Sequence, residues 1–277
     1  MSLNITVCIK PVPDPDYYDK ITIDPVKKTI TRAGIPTIIN PVDKNAVEAA
    51  LQVKEKLGGK VVVITMAPPN AEENLRELLA MGADEAVLLT DRAFAGADTL
   101  ATSYALAAGL KKSGPFDLVF TGTESADGAT SQVPAQLAEW LDIPHLWNVQ
   151  EFEVEDHTLK AKMSMENGYI NYLVQMPALL AVKRSINKPR YTTVMGVMKA
   201  KKKPLTVLTA ADLDVEPERL GLQGSPTKAG DIFTPSLARK GQQLTGETEE
   251  IVEQLIQVLR GAGLNLESLN VNEAGRE

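Results

Sequence analysis

The chain is short of cysteine, histidine and aromatic side chains, and each shortage closes off a class of function. Its one cysteine, Cys8, cannot make an internal disulfide or a multi-cysteine metal site. Two histidines, His145 and His157, are too few for a histidine-rich metal centre, so no metal site is expected. Aromatics make up 5% of the 277 residues, so the core has to be aliphatic. Excess positive charge is also missing: the formal net charge of -7 argues against nucleic-acid binding. No apolar run approaches the roughly 20 residues that cross a bilayer. The opening Met1-Ser2-Leu3-Asn4-Ile5-Thr6 lacks a basic start followed by an apolar stretch. The expectation is a cytoplasmic chain with no stable membrane insertion.

What is present is an alternation of β-branched runs with helical periods. Residues 5–9, 61–66, 86–89 and 118–121 are continuous apolar runs, as in strands covered on both faces of a parallel sheet. Asp43 is placed to cap a helix over 44–57. Asn70 with Glu73 is close to a capping box for a helix that stops at Gly82. Asp98 is placed to cap a third helix, and Thr130 or Ser131 a fourth with Pro134 in its first turn. Repeated strand–helix units predict an α/β fold with an open doubly wound parallel sheet.

Two departures break the alternation. Residues 21–23 and 29–31 flank Asp24-Pro25 and predict a hairpin inserted at about 20–33. From about 148 to 176 the pattern turns antiparallel, around Asp156-His157. The predicted division is an α/β domain over 1–198 and a C-terminal arm with a final helix over 199–277. Leu205, Val207, Leu208, Leu213, Leu220 and Leu222 favour burial of that arm against another surface rather than disorder.

No Gly-x-Gly-x-x-Gly and no Walker motif follows the first strand. The informative loop is Gly122-Thr123-Glu124-Ser125-Ala126-Asp127-Gly128-Ala129-Thr130-Ser131-Gln132-Val133. It leaves the carboxyl end of a strand and enters a helix, the edge where open α/β sheets bind ligands. Its glycines permit close approach, and Thr130, Ser131 and Gln132 offer donors at a helix N-terminus, which suits phosphate. Composition alone serves an ordinary helix-capping loop equally well. A second loop of the same topology carries Arg92, Phe94, Gly96, Ala97, Asp98 and Thr99; Phe94 there is either a ligand-side apolar group or a core residue. Asn40-Pro41-Val42-Asp43 is a third candidate. The run Lys199, Lys201, Lys202 and Lys203, with Pro189, Arg190 and Tyr191 upstream, suits contact with an acidic partner. Cys8 lies inside a strand, so a buried inert thiol is the expectation and hydrolytic chemistry is not.

In the order of these motifs the chain resembles the electron-transfer flavoprotein small (β) subunit family over nearly its whole length. The matching stretches are Cys8-Ile9-Lys10 with Val12-Pro13-Asp14; Asn40-Pro41; Leu79-Ala80-Met81-Gly82-Ala83-Asp84; Asp127-Gly128 with Gln132; Asn187-Lys188-Pro189-Arg190-Tyr191; and Met198-Lys199-Ala200-Lys201-Lys202-Lys203. The stretches Asp91-Arg92-Ala93-Phe94-Ala95-Gly96-Ala97-Asp98-Thr99, Met66-Ala67-Pro68-Pro69 and Gly224-Ser225-Pro226-Thr227 are similar to the NADH-dependent, electron-bifurcating branch. Ala129, Pro134, Glu124 and Ser125 depart from the residues common in relatives.

The resemblance implies a Rossmann-like, adenine-nucleotide-binding sheet and a heterodimer with a larger α subunit. It implies FAD as cofactor, with AMP as the alternative, and NADH as electron donor. Carried over residue by residue, the nucleotide contacts are Cys8, Asn40, Val42, Asp43, Met66 and the loop from Gly122 to Val133. The loop from Arg92 to Thr99 lies on the NADH side. Residues 187–203 face an acyl-CoA dehydrogenase-like or other flavin oxidoreductase. The rivals are a non-bifurcating shuttle with structural AMP and an ATP-binding signalling module on the same type of sheet.

Overall fold

The computed structural model describes residues 2–20, 22–24, 29–31, 34–228, 230 and 241–264. The chain opens with β1 (Leu3–Cys8) and the short β2 (Pro11–Pro13). The inserted hairpin is present as β3 (Thr22–Asp24) paired antiparallel with β4 (Thr29–Thr31); Ile21 and residues 25–28 lie outside the described residues. β5 (Thr37–Ile39) pairs with β2 and leads into α1 (Pro41–Leu57). Strands and helices then alternate: β6 (Gly59–Met66), α2 (Glu72–Met81), β7 (Glu85–Leu89), α3 (Thr99–Ser113), β8 (Leu118–Gly122) and α4 (Val133–Leu141). An antiparallel meander follows in β9 (His145–Glu155), β10 (Thr158–Met165) and β11 (Gly168–Gln175). β12 (Ala178–Val182), α5 (Val194–Ala200) and β13 (Leu205–Leu208) come last in the first of two compact units, Met1–Ile232. The second unit, Phe233–Glu277, contains α6 (Thr248–Gly261).

The main sheet has nine strands in the order β11-β10-β9-β12-β8-β1-β6-β7-β13. From β9 to β13 every neighbouring pair is parallel. The chain winds outward from β1 to β6 and β7, then α3 returns it to β8 on the other side of β1. The strand order therefore reverses between β1 and β8, where the loops leaving the two carboxyl ends diverge and open a crevice. Side chains alternate across the sheet. Val7, Val63 and Phe120 pack under α1 and α2 with Val47, Leu51, Leu75 and Leu78. Cys8, Ile64, Leu89 and Val119 pack under α3 and α4 with Leu106, Leu110 and Leu137.

Three caps differ from expectation. Asn40 is the N-cap of α1, because Pro41 occupies its first position; Asp43 falls inside the first turn. A 3-10 turn over Pro69–Ala71 takes the entry to α2, so Ala71 is its N-cap and Asn70 makes no side-chain cap. Gln132 is the N-cap of α4, since Ser131 adopts a left-handed φ of 55° and its hydroxyl donates to Glu124. Asp98 caps α3 as the sequence predicts.

Residues 205–228, expected in an arm that begins at 199, lie within the first compact unit, Met1–Ile232. β13 pairs with β7 from Leu205 opposite Ala86 to Leu208 opposite Leu89. Leu213 and Leu220 are buried, while Val207 and Leu222 are exposed. The added strand satisfies backbone groups that β7 would otherwise leave as an open edge. The junction is clamped from both sides. Lys203 Nζ donates to the carbonyls of Leu79 (3.0 Å) and Ala83 (2.5 Å), and Arg76 Nη1 donates to those of Ala200 and Lys203. Lys203→Met is expected to lower stability by about 2 kcal/mol in urea unfolding, because carbonyls at the end of α2 lose a charged donor.

No helix among the described residues is long and apolar enough to cross a membrane. No group of three or more His, Cys, Asp or Glu among them could hold a metal ion.

Candidate functional site

The first turn of α1 braces the crevice. Asp43 is buried; its Oδ2 accepts the Lys10 amide (2.7 Å), and its Oδ1 accepts the Gly122 amide (3.1 Å) and Asn40 Nδ2 (3.0 Å). Asn40 Nδ2 also donates to the Glu124 carbonyl (2.8 Å), and Asn40 Oδ1 accepts the Ala126 amide (3.1 Å). Two side chains thus join the exit of β1 to the exit of β8. Burial pushes the Asp43 carboxyl up to about 7, against the pull of the three donors on it. Burial, with the Asp43 charge beside it, pushes the Cys8 thiol up as well, so this sulfur is an inert wall and no nucleophile.

Gly122 sits where any side chain would collide. A Cβ there would lie 2.3 Å from Asp43 Oδ1 and 3.0 Å from Val42 Cγ1. Gly122→Ala is expected to cost about 3 kcal/mol in urea unfolding, because either the brace or the strand end must shift.

Beyond Gly122 the loop turns over the crevice. Lys10 Nζ crosses its mouth to Asp127 Oδ1 (2.6 Å) and Ser125 Oγ (3.3 Å). Ala129 and Ser131 both have positive φ, which folds the main chain back before α4. The first-turn amides of α4 have no intrahelical acceptor and, with the helix dipole, favour an anion. Thr121, the residue before Gly122, is 5% exposed, and its Oγ1 has no hydrogen-bond partner among the described residues. A buried hydroxyl left unpaired at a strand end is open to a ligand or an ordered water, as is that of Thr65 near the end of β6. Thr123 is buried, Glu124, Ala126, Gly128, Thr130 and Gln132 are exposed, and Val133 is half-buried. Met66 ends β6 half-buried.

The loop from Arg92 to Thr99 reaches the same rim. Thr99 Oγ1 donates to Gln132 Oε1 (2.9 Å), so the two loops meet at the N-termini of α3 and α4. Phe94 is buried in the core, while Arg92 and Gly96 are exposed and Ala97 is half-buried. Asp98 Oδ1 accepts the amides of Leu100 and Ala101. Burial acts to raise the Asp98 carboxyl, but the amides of Thr227, Ala101 and Leu100 outweigh it and hold the group below its usual range.

The stretch from 187 follows β12 and is held on α1. Asn187 and Asn45 exchange hydrogen bonds, which seats Pro189 over α1. Arg190 forks onto Glu48 and Glu55, and Lys203 is engaged at α2 as described above. Tyr191, Lys199, Lys201 and Lys202 are exposed. Lys10 was not among the residues expected at the site. Its signal in the sequence was a lone cation at the carboxyl end of the first strand, opposite a loop carrying Glu124 and Asp127.

A doubly wound sheet whose reversal point is braced and met by a helix N-terminus is a Rossmann-like α/β fold, with the edge where such sheets bind ligands at that point. The chain belongs to the electron transfer flavoprotein family, as a β subunit: the electron transfer flavoprotein domain matches residues 27–213. It is 49% identical over 258 residues to the electron transfer flavoprotein subunit beta of Thermoanaerobacterium thermosaccharolyticum, covering 93% of this chain and 98% of that protein. It is 45% identical over 260 residues to the caffeyl-CoA reductase-Etf complex subunit CarD of Acetobacterium woodii, with the same coverage. It is 39% identical over 264 residues to the acryloyl-CoA reductase electron transfer subunit gamma of Anaerotignum propionicum, again covering 93% and 98%.

Proposed function

We propose that this chain is the FAD-binding, NADH-oxidising half of an electron-bifurcating flavoprotein, working as a heterodimer with an α subunit. The hydrogen bond from Thr99 to Gln132 carries the reading, because it sets the loop from Arg92 to Thr99 directly beside the nucleotide loop. A donor nucleotide on the first loop would then lie next to a cofactor on the second. A flavin supplies what the chain lacks, acceptance of a hydride and release of electrons one at a time.

The residues present fit that cofactor. The orphan hydroxyl of Thr121 is an unspent donor at the reversal point, and α4 begins there without a side-chain cap. Asn40 and Asp43 hold the two strand exits at fixed spacing, and Lys10 with Asp127 spans the mouth.

Three surfaces suit partners. Tyr191, Val194, Met195 and Met198 are exposed at 88%, 82%, 65% and 67%, beside Lys199, Lys201 and Lys202. This apolar patch with a cationic border fits an acidic-rimmed oxidoreductase of the acyl-CoA dehydrogenase type. The names of the two CoA-reductase relatives favour such an acceptor. The outer hairpin exposes Tyr169 and Leu173 on one face of β11 and Ile170 and Tyr172 on the other, as a seat for the α subunit. In the second unit, α6 leaves Val252, Leu255 and Val258 exposed for the same subunit.

Acid extraction of the purified heterodimer tests the cofactor. Two flavins per heterodimer are expected; one flavin with one AMP would instead support the AMP-holding shuttle.

A further inference from the structure

The loop from Asp91 to Thr99 does little to hold itself. Its own main-chain bonds end with the Ala95 amide on the Arg92 carbonyl. Beyond that point, apart from the α3 cap and the Thr99–Gln132 hydrogen bond, its partners come from residues 221–227. The Ala95 carbonyl accepts the Leu222 amide (3.0 Å). The Asp98 amide donates to Ser225 Oγ (2.8 Å), and Asp98 Oδ2 accepts the Thr227 amide (2.9 Å). Ser225 is 3% exposed, and its hydroxyl donates in turn to the Gly221 carbonyl (2.6 Å). Gly221 has a φ of 53°, and a Cβ there would lie 2.2 Å from the Ala93 carbonyl oxygen and 2.8 Å from that of Ala95. Only glycine lets the two segments approach so closely.

Asp98 divides its work by oxygen atom. Oδ1 caps α3, and Oδ2 holds Thr227. We propose that Asp98 is a positioning residue that latches the loop from Asp91 to Thr99 onto residues 221–227, and that this latch fixes the loop's main chain in the conformation that receives the nicotinamide nucleotide. The second half rests on the function proposed above; the first does not. The separate stretches Asp98-Thr99 and Gly224-Ser225-Pro226-Thr227 are then one device, with Ser225 as its buried bolt.

The two roles of Asp98 can be separated. Asp98→Asn keeps an oxygen for the α3 cap but turns an NH2 group toward the Thr227 N–H, a donor against a donor. Ser225→Ala leaves the carboxylate and the cap intact and removes the bolt. Gly221→Ala forces the segments apart without touching either side chain. Hydrogen exchange on the intact heterodimer should show amides 93–98 exchanging about tenfold faster in all three variants, with amides 104–110 of α3 unchanged. In Ser225→Ala the KM for NADH in flavin reduction should rise about tenfold, with kcat held within about twofold. Exchange at 93–98 matching the parent would overturn the latch. Faster exchange with an unchanged KM would overturn its role in positioning. A parent heterodimer that NADH does not reduce would sink the donor-site reading and the positioning half with it, while the exchange rates would still decide the latch.

Discussion

Urea titrations at pH 5 and pH 8 are expected to give this chain two stabilities, lower at pH 8, and Asp43→Asn is expected to remove most of the difference. Asp43 is buried between the exits of β1 and β8, and burial raises its carboxyl from the ordinary 3.8 to about 7. The folded chain therefore keeps a proton over a range in which the unfolded chain has lost it. The stability this group contributes is complete below about pH 4 and is lost as pH rises through 7. A shift of this size corresponds to at most about 4 kcal/mol. His145 works in the opposite direction, because burial holds its imidazole below the usual value and so favours the folded state as pH rises. The comparison with Asp43→Asn isolates the Asp43 share, since His145 is unchanged in it. An undiminished slope in that variant would show that the brace is not the titrating group.

Arg190→Ala is expected to cost about 3–5 kcal/mol while leaving the flavin count intact. Arg190 Nε donates to Glu48 Oε2 (2.7 Å) and Nη2 to Glu48 Oε1 (2.9 Å), with Glu55 held on the other side by Nη1 and Nη2. The Glu48 side chain is 6% exposed, so removing the guanidinium leaves a buried carboxylate without its counter-charge, held only by the Gln52 side chain and the main-chain N–H of residue 190. Arg190→Lys should recover only part of the loss, because one ammonium cannot fork onto two carboxylates. Tyr191 follows the clamp directly, and α5 begins three residues further on. Electron delivery to the oxidoreductase partner should therefore fall about tenfold in Arg190→Ala, an effect of about 1.4 kcal/mol on coupling. Partner-linked turnover equal to the parent's, in a variant that still binds its flavins, would contradict the placement of that surface.

The strands of the sheet interior were legible because burial on both faces leaves continuous apolar runs at β1, β6, β7 and β8. The Asp156-His157 turn was legible too; both residues have positive φ, 44° and 63°, as a two-residue hairpin demands. β13 was not. Leu205, Thr206, Val207 and Leu208 look the same in an arm as in a strand, and only the open edge of β7 decides between them. The brace was half legible. Asn40 and Asp43 stood out at a helix start, but their partners Gly122 and Glu124 lie about 80 residues on, and no local period links them. Asp43 read as a cap because capping is what a first-turn carboxylate usually does; Pro41 moved the helix start and freed it for the strand exits. The latch at Asp98 escaped for the same reason as β13, since a strand–helix loop gives no sign of which distant segment will hold it.

Anaerobic titration of the heterodimer with NADH tests the central claim most directly. The account predicts bleaching of the flavin absorbance in the β subunit, with two flavins recovered after acid extraction. Flavin absorbance unmoved by excess NADH would contradict it.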